Sequence, residues 1–225
     1  LLVDVVQASR FITLRKSREL INKLEQFVSG KEAQQLQRQV YVAGRVKTDN
    51  ESIYYNVDFI HRAIQENRQI SFQYMEWTLD KKLVPRKGGA RYVISPWALS
   101  WNDENYYLIG YDKEADLMKH YRVDKMLGIA LTDEPRDGQE HFEHFDMAVY
   151  TRQVFGMFGG NEQTVTLRFE NRLLGVVLDR FGEDVPIRRE DADTFQVRVR
   201  VAVSPQFLSW VFSFGGGARI VSPAA

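Results

Sequence analysis

Two neighbouring segments decide the fold class of this chain: NYYLIGYD at residues 105–112 and HYRVDK at residues 120–125. Both have the length and the aromatic or β-branched content of short strands. Successive side chains of a strand point to opposite faces, so His120 and Arg122 are expected on one face with tyrosines nearby. Cations pair with phosphates and aromatic rings stack on bases, so the pattern predicts a surface for a phosphate-bearing, stackable ligand. The competing interpretation is a barrel rim whose charges are only solvated.

More strands and one helix surround these two segments. Alternation of apolar and polar residues predicts strands at residues 70–74, 91–95 and 97–101. A helix precedes them at about residues 56–66, with Asn56 as its candidate N-cap. About five short strands after one helix predict a small, strongly bent β-barrel.

The last third of the chain has a different order of elements. The pattern predicts a strand at 164–170, a helix at 171–182, strands at 185–189 and 195–203, a helix capped by Ser204, and a strand at 218–222. This order, strand–helix–strand–strand–helix–strand, is a split βαβ arrangement of the ferredoxin-like type.

The N-terminal region is predicted to be helical. An apolar stripe at Leu20, Ile21, Leu24, Phe27 and Val28 indicates one amphipathic helix, for which Thr13 is the candidate cap. The whole chain is therefore assigned to the α+β class. Its predicted segments are a helical connector at 1–55, a barrel with its leading helix at 56–132, an acidic linker and glycine-rich junction at 133–160, and a ferredoxin-like domain at 161–225.

Composition excludes several classes of protein. The 225 residues contain no cysteine, which excludes disulfides, thiol catalysis and cysteine-based zinc sites. There is no run of about 18 apolar residues and no signal-peptide pattern at the first residues, so we expect a cytoplasmic protein.

Lys and Arg balance Asp and Glu at 30 each, but the loop at 81–91 holds five cations and no acid. That loop is either a solvated hairpin or a rim that attracts a polyanion.

Three motifs resemble the WYL family of bacterial transcriptional regulators. Tyr106-Tyr107-Leu108 stands at the position of the Trp-Tyr-Leu triplet, with tyrosine in place of tryptophan. Residues 121–126 are similar to the partner strand, with Lys125 in place of the usual arginine. Residues 214–223 resemble the closing motif of the WCX extension that follows many WYL domains. The resemblance implies an Sm-like or SH3-like barrel followed by a ferredoxin-like WCX domain.

The same resemblance implies a function. Residues 1–14 are similar to the segment that follows a winged helix-turn-helix in this family, so we expect a helix-turn-helix upstream of Leu1 that binds operator DNA. The chain itself would be the effector-sensing and dimerisation region, forming a homodimer. Its ligand would be a single-stranded or cyclic oligonucleotide or a nucleotide. The candidate ligand-binding residues are Ser95, Tyr107, His120, Arg122 and Lys125, with Arg86 and Arg91 near the rim. Arg122 would be the main phosphate clamp, because its planar fork bonds two oxygens at once.

Two other classes of function remain open at this point. One is a passive oligomerisation scaffold whose basic face is incidental. The other is an enzyme with an unrecognised site, although no catalytic residue, cofactor or metal is predicted. His141 and His144 have the spacing of two metal ligands on a helix, but no third ligand is near them in the sequence.

Overall fold

The structure, a computed structural model, describes residues 2–9, 11–27, 51–142 and 147–223. The chain divides into an N-terminal unit, Leu1–Gln139, and a C-terminal unit, Glu140–Ala225. Most of the polar part of the predicted connector, Val28 of its apolar stripe and His144 lie outside the described residues. Among the helices that are described, none is both long and apolar enough to cross a membrane.

Two short helices open the N-terminal unit, α1 at Leu2–Ala8 and α2 at Leu14–Glu25. Thr13 caps α2 as predicted, because its Oγ1 accepts a hydrogen bond of 3.2 Å from the backbone N of Lys16. Between the helices, the ring of Phe11 lies edge-on against three other rings, with centroid distances of 5.2, 5.7 and 4.9 Å. These rings belong to Tyr54, Trp101 and Tyr106. Phe11 thus packs the segment between α1 and α2 against the rest of the unit.

A curled, six-stranded antiparallel sheet with one helix forms the rest of this unit. Its elements are α3 at Ile53–Gln65, β1 at Arg68–Trp77, β2 at Leu83–Pro85, β3 at Tyr92–Asn102, β4 at Asn105–Asp112, β5 at Leu117–Arg122 and β6 at Met126–Pro135. Strand β1 pairs with β2 and β3 along one edge and with β6 along the other, and the sheet continues from β3 to β4 and β5. Within the described strands no pairing joins β5 to β6, so the sheet is a half-barrel. The mixed helix-and-sheet class is as predicted.

The core of the N-terminal unit lies between α3 and the curled sheet. Ile60 of α3, Phe72 of β1 and Leu108 of β4 are completely buried there. Gly110 of β4 lies where β3 passes very close. A Cβ at this position would overlap the side chain of Ile94 and lie 3.1 Å from the carbonyl oxygen of Ser95. The glycine in the quoted strand is therefore required by packing.

Asn56 is not the N-cap of α3, which corrects the sequence-based expectation. The helix begins three residues earlier, and the Asn56 side chain is buried. Its Nδ2 donates to the carbonyl oxygens of Val123 and Met126, at 3.2 and 2.9 Å. A buried amide needs hydrogen-bond partners, and here they come from a distant turn instead of the start of its own helix. Asn56 therefore fixes the 3-10 turn at Val123–Lys125.

The first residues of the predicted acidic linker pack against the N-terminal unit. The Arg136 guanidinium lies 4.1 Å from the ring centroid of Trp97 and donates to the carbonyl oxygen of Pro96 at 2.9 Å. The backbone N of Asp137 donates to Oγ of Ser95 at 2.8 Å. This segment is thus tied to β3 by specific polar contacts.

The C-terminal unit is a four-stranded antiparallel sheet with helices on one face. After α4 at Met147–Gln153, its elements are β7 at Asn161–Glu170, α5 at Leu174–Phe181, β8 at Ile187–Arg189, β9 at Thr194–Val203, α6 at Pro205–Phe212 and β10 at Ala218–Ser222. The strand order in the sheet is β10-β7-β9-β8. Ser204 caps α6 as predicted, accepting a bond of 3.2 Å from the backbone N of Phe207. The core between sheet and helices includes Leu167, Phe169 and Phe207, all nearly inaccessible.

Candidate functional site

Tyr107 and Arg122 form the centre of the candidate site. The register of β4 and β5 places them directly opposite each other, as strand alternation predicts. Their neighbours Leu108 and Tyr121 pair on the opposite, core-facing side. Burial raises the pKa of the half-buried Tyr107 phenol, and the Arg122 charge opposes this shift. Tyr107 is therefore a neutral hydrogen-bonding and stacking group at neutral pH.

The Arg122 guanidinium is held in place by partners within the fold. Its Nε and Nη2 donate to the two carboxylate oxygens of Asp124 at 3.0 and 2.8 Å, and Nη2 also donates to Oδ1 of Asn105 at 2.8 Å. Burial alone would lower the pKa of Arg122, but the hydrogen bond and charge of Asp124 outweigh it and raise the pKa. The Arg122 side chain is 35% exposed and ion-paired. Among the described residues, nothing accepts a hydrogen bond from Nη1.

Lys125 brings a second cation to Arg122, and Arg86 brings a third. Burial lowers the pKa of Lys125, and the charges of Arg122 and Arg86 lower it further, whereas Asp124 and Glu76 act in the opposite direction. Nε of Arg86 is paired with Oε2 of Glu76 at 3.0 Å. We call Arg86, Arg122 and Lys125 the cation cluster. Three cations share two carboxylates there, which leaves a net positive charge for an anion to neutralise.

His120 shares the strand face of Arg122 but does not act as a cation. Burial lowers the pKa of its imidazole to about 4, so the ring is neutral at pH 7. Ile109, its partner across the strands, is completely buried. The sheet face expected to be open is therefore covered around His120, and the expected pair of adjacent cations is reduced to Arg122 alone.

Ser95 and Arg91 are engaged in structural hydrogen bonds away from the cation cluster. Ser95 is 2% exposed, and its hydroxyl accepts the bond from Asp137. Arg91 donates through Nη2 to the carbonyl oxygens of Ser71 and Gly128, at 2.8 and 2.6 Å, which links it to β1 and β6. Both residues line a cavity of about 250 Å³, which none of the other five candidates lines. The seven predicted residues thus do not form one pocket.

The sequence-based list omits four residues that shape the site. Asp124 and Asn105 hold the Arg122 fork, and Asn56 holds the turn that carries Asp124 and Lys125. The Tyr74 hydroxyl accepts a bond of 3.1 Å from the backbone N of Arg122. Asp124 is only two residues beyond Arg122, but it lies in the 3-10 turn after the end of β5, where strand alternation no longer applies. The contacts of Tyr74 and Asn56 cross long stretches of sequence and have no local signal.

Metal-binding side chains do not gather in the described part of the chain. No group of three or more His, Asp or Glu residues there is arranged to hold an ion. His141 lies 3.6 Å from a carboxylate oxygen of Glu140, and its predicted partner His144 is outside the described residues.

Two models of known domain families match the chain. A model of the WYL domain matches residues 55–131, and a model of the WCX domain matches residues 161–225. The chain belongs to the WYL-domain family. The half-barrel with the cation cluster is therefore its WYL domain, and the sheet with two helices is its WCX domain. The resemblance seen in residues 105–126 and 214–223 is confirmed.

One solved structure similar to the chain is proteasome accessory factor B/C (PafBC) of Arthrobacter aurescens. The sequence identity is 19% and the TM-score is 0.35. The alignment covers 81% of this chain and 26% of PafBC, so the chain spans about a quarter of that protein's length. The search of curated proteins gave no match.

Proposed function

We propose that the chain is the effector-sensing region of a bacterial WYL-family transcriptional regulator and that the cation cluster binds a phosphate-bearing ligand. The observation that carries this proposal is the repulsion within the cluster. Arg86 and Arg122 both depress the pKa of Lys125, and the carboxylates of Glu76 and Asp124 are paired with Arg86 and Arg122. A phosphate group at this position would relieve the repulsion.

The geometry supports a single-stranded oligonucleotide, a cyclic oligonucleotide or a nucleotide as the ligand. Nη1 of Arg122 and the Lys125 ammonium would contact phosphate oxygens, while Tyr107 would stack on a base or donate to a phosphate. Asp124 keeps the guanidinium oriented before the ligand arrives, which lowers the entropy lost on binding. Such a role fits three of the candidates less well. Arg91 and Ser95 are already hydrogen-bonded to backbone groups, and His120 is neutral.

The response to the ligand would be a shift between two orientations of the connector. A ligand that binds more tightly to one orientation of α1 and α2 increases the population of that orientation. This shift changes the DNA affinity of an upstream helix-turn-helix. A homodimer is part of the proposal, because helix-turn-helix regulators commonly meet two-fold operators as dimers. We place the protein in the cytoplasm, where operator DNA is. Light scattering that gives the mass of a single chain over a wide concentration range would contradict the dimer.

The named folds of the two domains are also part of the proposal. One helix before a curled sheet, with a 3-10 turn before the last strand, supports an Sm-like or SH3-like barrel for the WYL domain. The element order of the WCX domain and its sheet order β10-β7-β9-β8 support a ferredoxin-like fold.

Binding of labelled oligothymidine, a cyclic dinucleotide and ATP, followed by fluorescence anisotropy or calorimetry, tests the ligand proposal. Lys125→Gln removes one cation without opening a buried ion pair. We expect about tenfold weaker binding, since a charge-assisted contact contributes about 1.5 kcal/mol. The salt dependence is expected to become shallower by about 0.7 in log–log slope for a single strand.

Lys23→Gln on α2 is the matched control, because it removes the same charge from an exposed position on a different element. If Lys125→Gln binds all three probes as well as the parent does, the cluster is not the site. If the parent binds none of them at low salt, the passive scaffold replaces the sensor. Turnover of any nucleotide in the same mixtures would instead identify an enzyme.

A further inference from the structure

The open face of the WCX sheet carries an unusual set of side chains. In β7 and β9, residues such as Leu167 and Val197 point to the core beneath α5 and α6. Strand alternation therefore directs the intervening residues of both strands to the other face. Five arginines share that face, and we call them the arginine face: Arg168 on β7, Arg188 on β8, Arg198 and Arg200 on β9, and Arg219 on β10.

The strand register brings three of these arginines and Gln196 into one row across the sheet. Arg188 pairs with Gln196, Gln196 with Arg168, and Arg168 with Arg219. With neighbouring strands about 4.8 Å apart, the row from Arg188 to Arg219 is about 14 Å long. Arg198 lies diagonally from this row, one step further along β9. Like charges directly opposite each other destabilise a sheet, so this register is unfavourable unless anions occupy the face.

Carboxylates compensate only part of this charge. Arg168 lies 3.6 Å from Glu190, and Arg200 is paired with Glu162 at 2.7 Å. Arg188, Arg198 and Arg219 are exposed and have no ion-pair partner among the described residues. All five cations of the face are arginines. The planar guanidinium binds phosphate with two parallel hydrogen bonds, which the ammonium of lysine cannot do.

A concavity on the same face supplies neutral polar groups. Its volume is about 420 Å³, and its lining includes the side chains of Thr164, Thr166 and Gln196 beside Arg188 and Arg198. Hydroxyl and amide groups hydrogen-bond phosphates and sugars without selecting a base. The described residues that line this concavity include no aromatic ring on which a base would stack. The surface therefore has the means to hold a phosphodiester backbone but not to recognise a sequence.

We propose that the arginine face of the WCX domain binds the phosphate backbone of single-stranded nucleic acid, independently of base sequence. The row is long enough to contact more than one consecutive phosphate, and three arginines of the face, Arg188, Arg198 and Arg219, have no ion-pair partner among the described residues. This surface belongs to a different unit from the cation cluster, so the inference does not depend on the ligand proposed for the WYL domain.

The double substitution Arg188→Ala/Arg198→Ala in the full chain tests the inference, with labelled oligothymidine as the probe at several salt concentrations. We expect at least tenfold weaker binding at 50 mM salt and a log–log salt slope shallower by about 1.4, because two phosphate contacts are lost. The same loss is expected when the double substitution is added to Lys125→Gln. Arg188→Lys/Arg198→Lys, which keeps the charge but loses the planar fork, is expected to bind with intermediate affinity.

Arg189→Ala is the matched control, because Arg189 is the next residue on the same strand and pairs with the core residue Phe195, away from the arginine face. A loss as large for Arg189→Ala as for the double variant would overturn the inference, since net charge alone would then explain it. Unchanged oligothymidine binding by the double variant would also overturn the inference. If binding is weakened by Lys125→Gln but not by the double substitution, the proposed site in the WYL domain is retained and the arginine face is rejected. Competition by polyglutamate that equals competition by unlabelled oligothymidine would assign the face to an acidic protein instead.

Discussion

The WYL and WCX domains both present cations, but they hold them in opposite ways. In the cation cluster the central Arg122 is half-buried, and Asp124 and Asn105 fix its fork. On the arginine face, Arg188, Arg198 and Arg219 stand exposed on three strands of one sheet, without carboxylate partners among the described residues. A fixed, partly desolvated cation binds one group in one orientation, whereas exposed cations attract any polyanion and lose strength with salt. The cation cluster is therefore suited to binding one anionic group selectively, whereas the arginine face is suited to attracting polyanions in general.

The packing beneath the cation cluster gives the largest expected effect. Gly110→Ala would place a methyl group against Ile94 and the backbone of β3, and we expect a loss of about 3 kcal/mol in the free energy of unfolding. Gly175→Ala in α5 of the WCX domain is the contrasting change, because nothing lies within 4 Å of its added Cβ. That substitution is expected to be neutral or to stabilise by about 0.5 kcal/mol. Urea denaturation measures both, and equal effects would show that the β3–β4 approach is not tight.

Acid is expected to destabilise the WYL domain through His120. Burial holds its pKa at about 4 in the folded protein, below the usual 6.5, so the unfolded chain binds the proton more readily. The neutral imidazole's contribution to stability is complete above pH 6.5 and is lost as the pH falls toward 4, with a total of about 3 kcal/mol. His120→Gln is expected to remove this part of the pH dependence. Thermal unfolding between pH 7 and pH 4 measures it, and an identical pH profile for the variant would contradict a buried neutral histidine.

Removing one arginine from each surface is expected to change the stability of the protein by different amounts. Arg122→Ala leaves the largely buried Asp124 carboxylate without its main partner, and we expect a loss of about 2 kcal/mol in stability along with weaker ligand binding. Arg198→Ala removes an exposed side chain and is expected to leave the unfolding midpoint unchanged. Asp124→Asn in the Arg122→Ala background is expected to recover part of the lost stability. Similar midpoints for Arg122→Ala and the parent would mean that the ion pair contributes nothing to the fold.

Local signals in the sequence predicted local structure well. The caps at Thr13 and Ser204 depend on residues close together in the sequence, and both are confirmed. Asn56 was misassigned as a cap, because its partners are carbonyl groups about 70 residues away in sequence. No local pattern reveals such a contact.

The candidate site was predictable only in part for the same reason. The hydrogen bonds that engage Arg91 and Ser95 lead to Gly128 and Asp137, which approach only after the sheet has curled. The arginine face, by contrast, has a clear sequence signal that was missed: in VRVRVAV at residues 197–203, arginines alternate with buried valines. The same alternation that predicts the strand also predicts a basic outer face.

Adjacent residues of β4 connect the two sides of the WYL domain. Tyr107 lies beside Arg122, while the Tyr106 ring contacts Phe11 of the connector at a centroid distance of 4.9 Å. One peptide unit therefore separates the ring beside Arg122 from the ring beside the connector. Because β4 is paired with β3 on one edge and with β5 on the other, the two rings are held in a fixed relation to each other. The shortest covalent route from the site to the connector is thus a single planar and rigid amide.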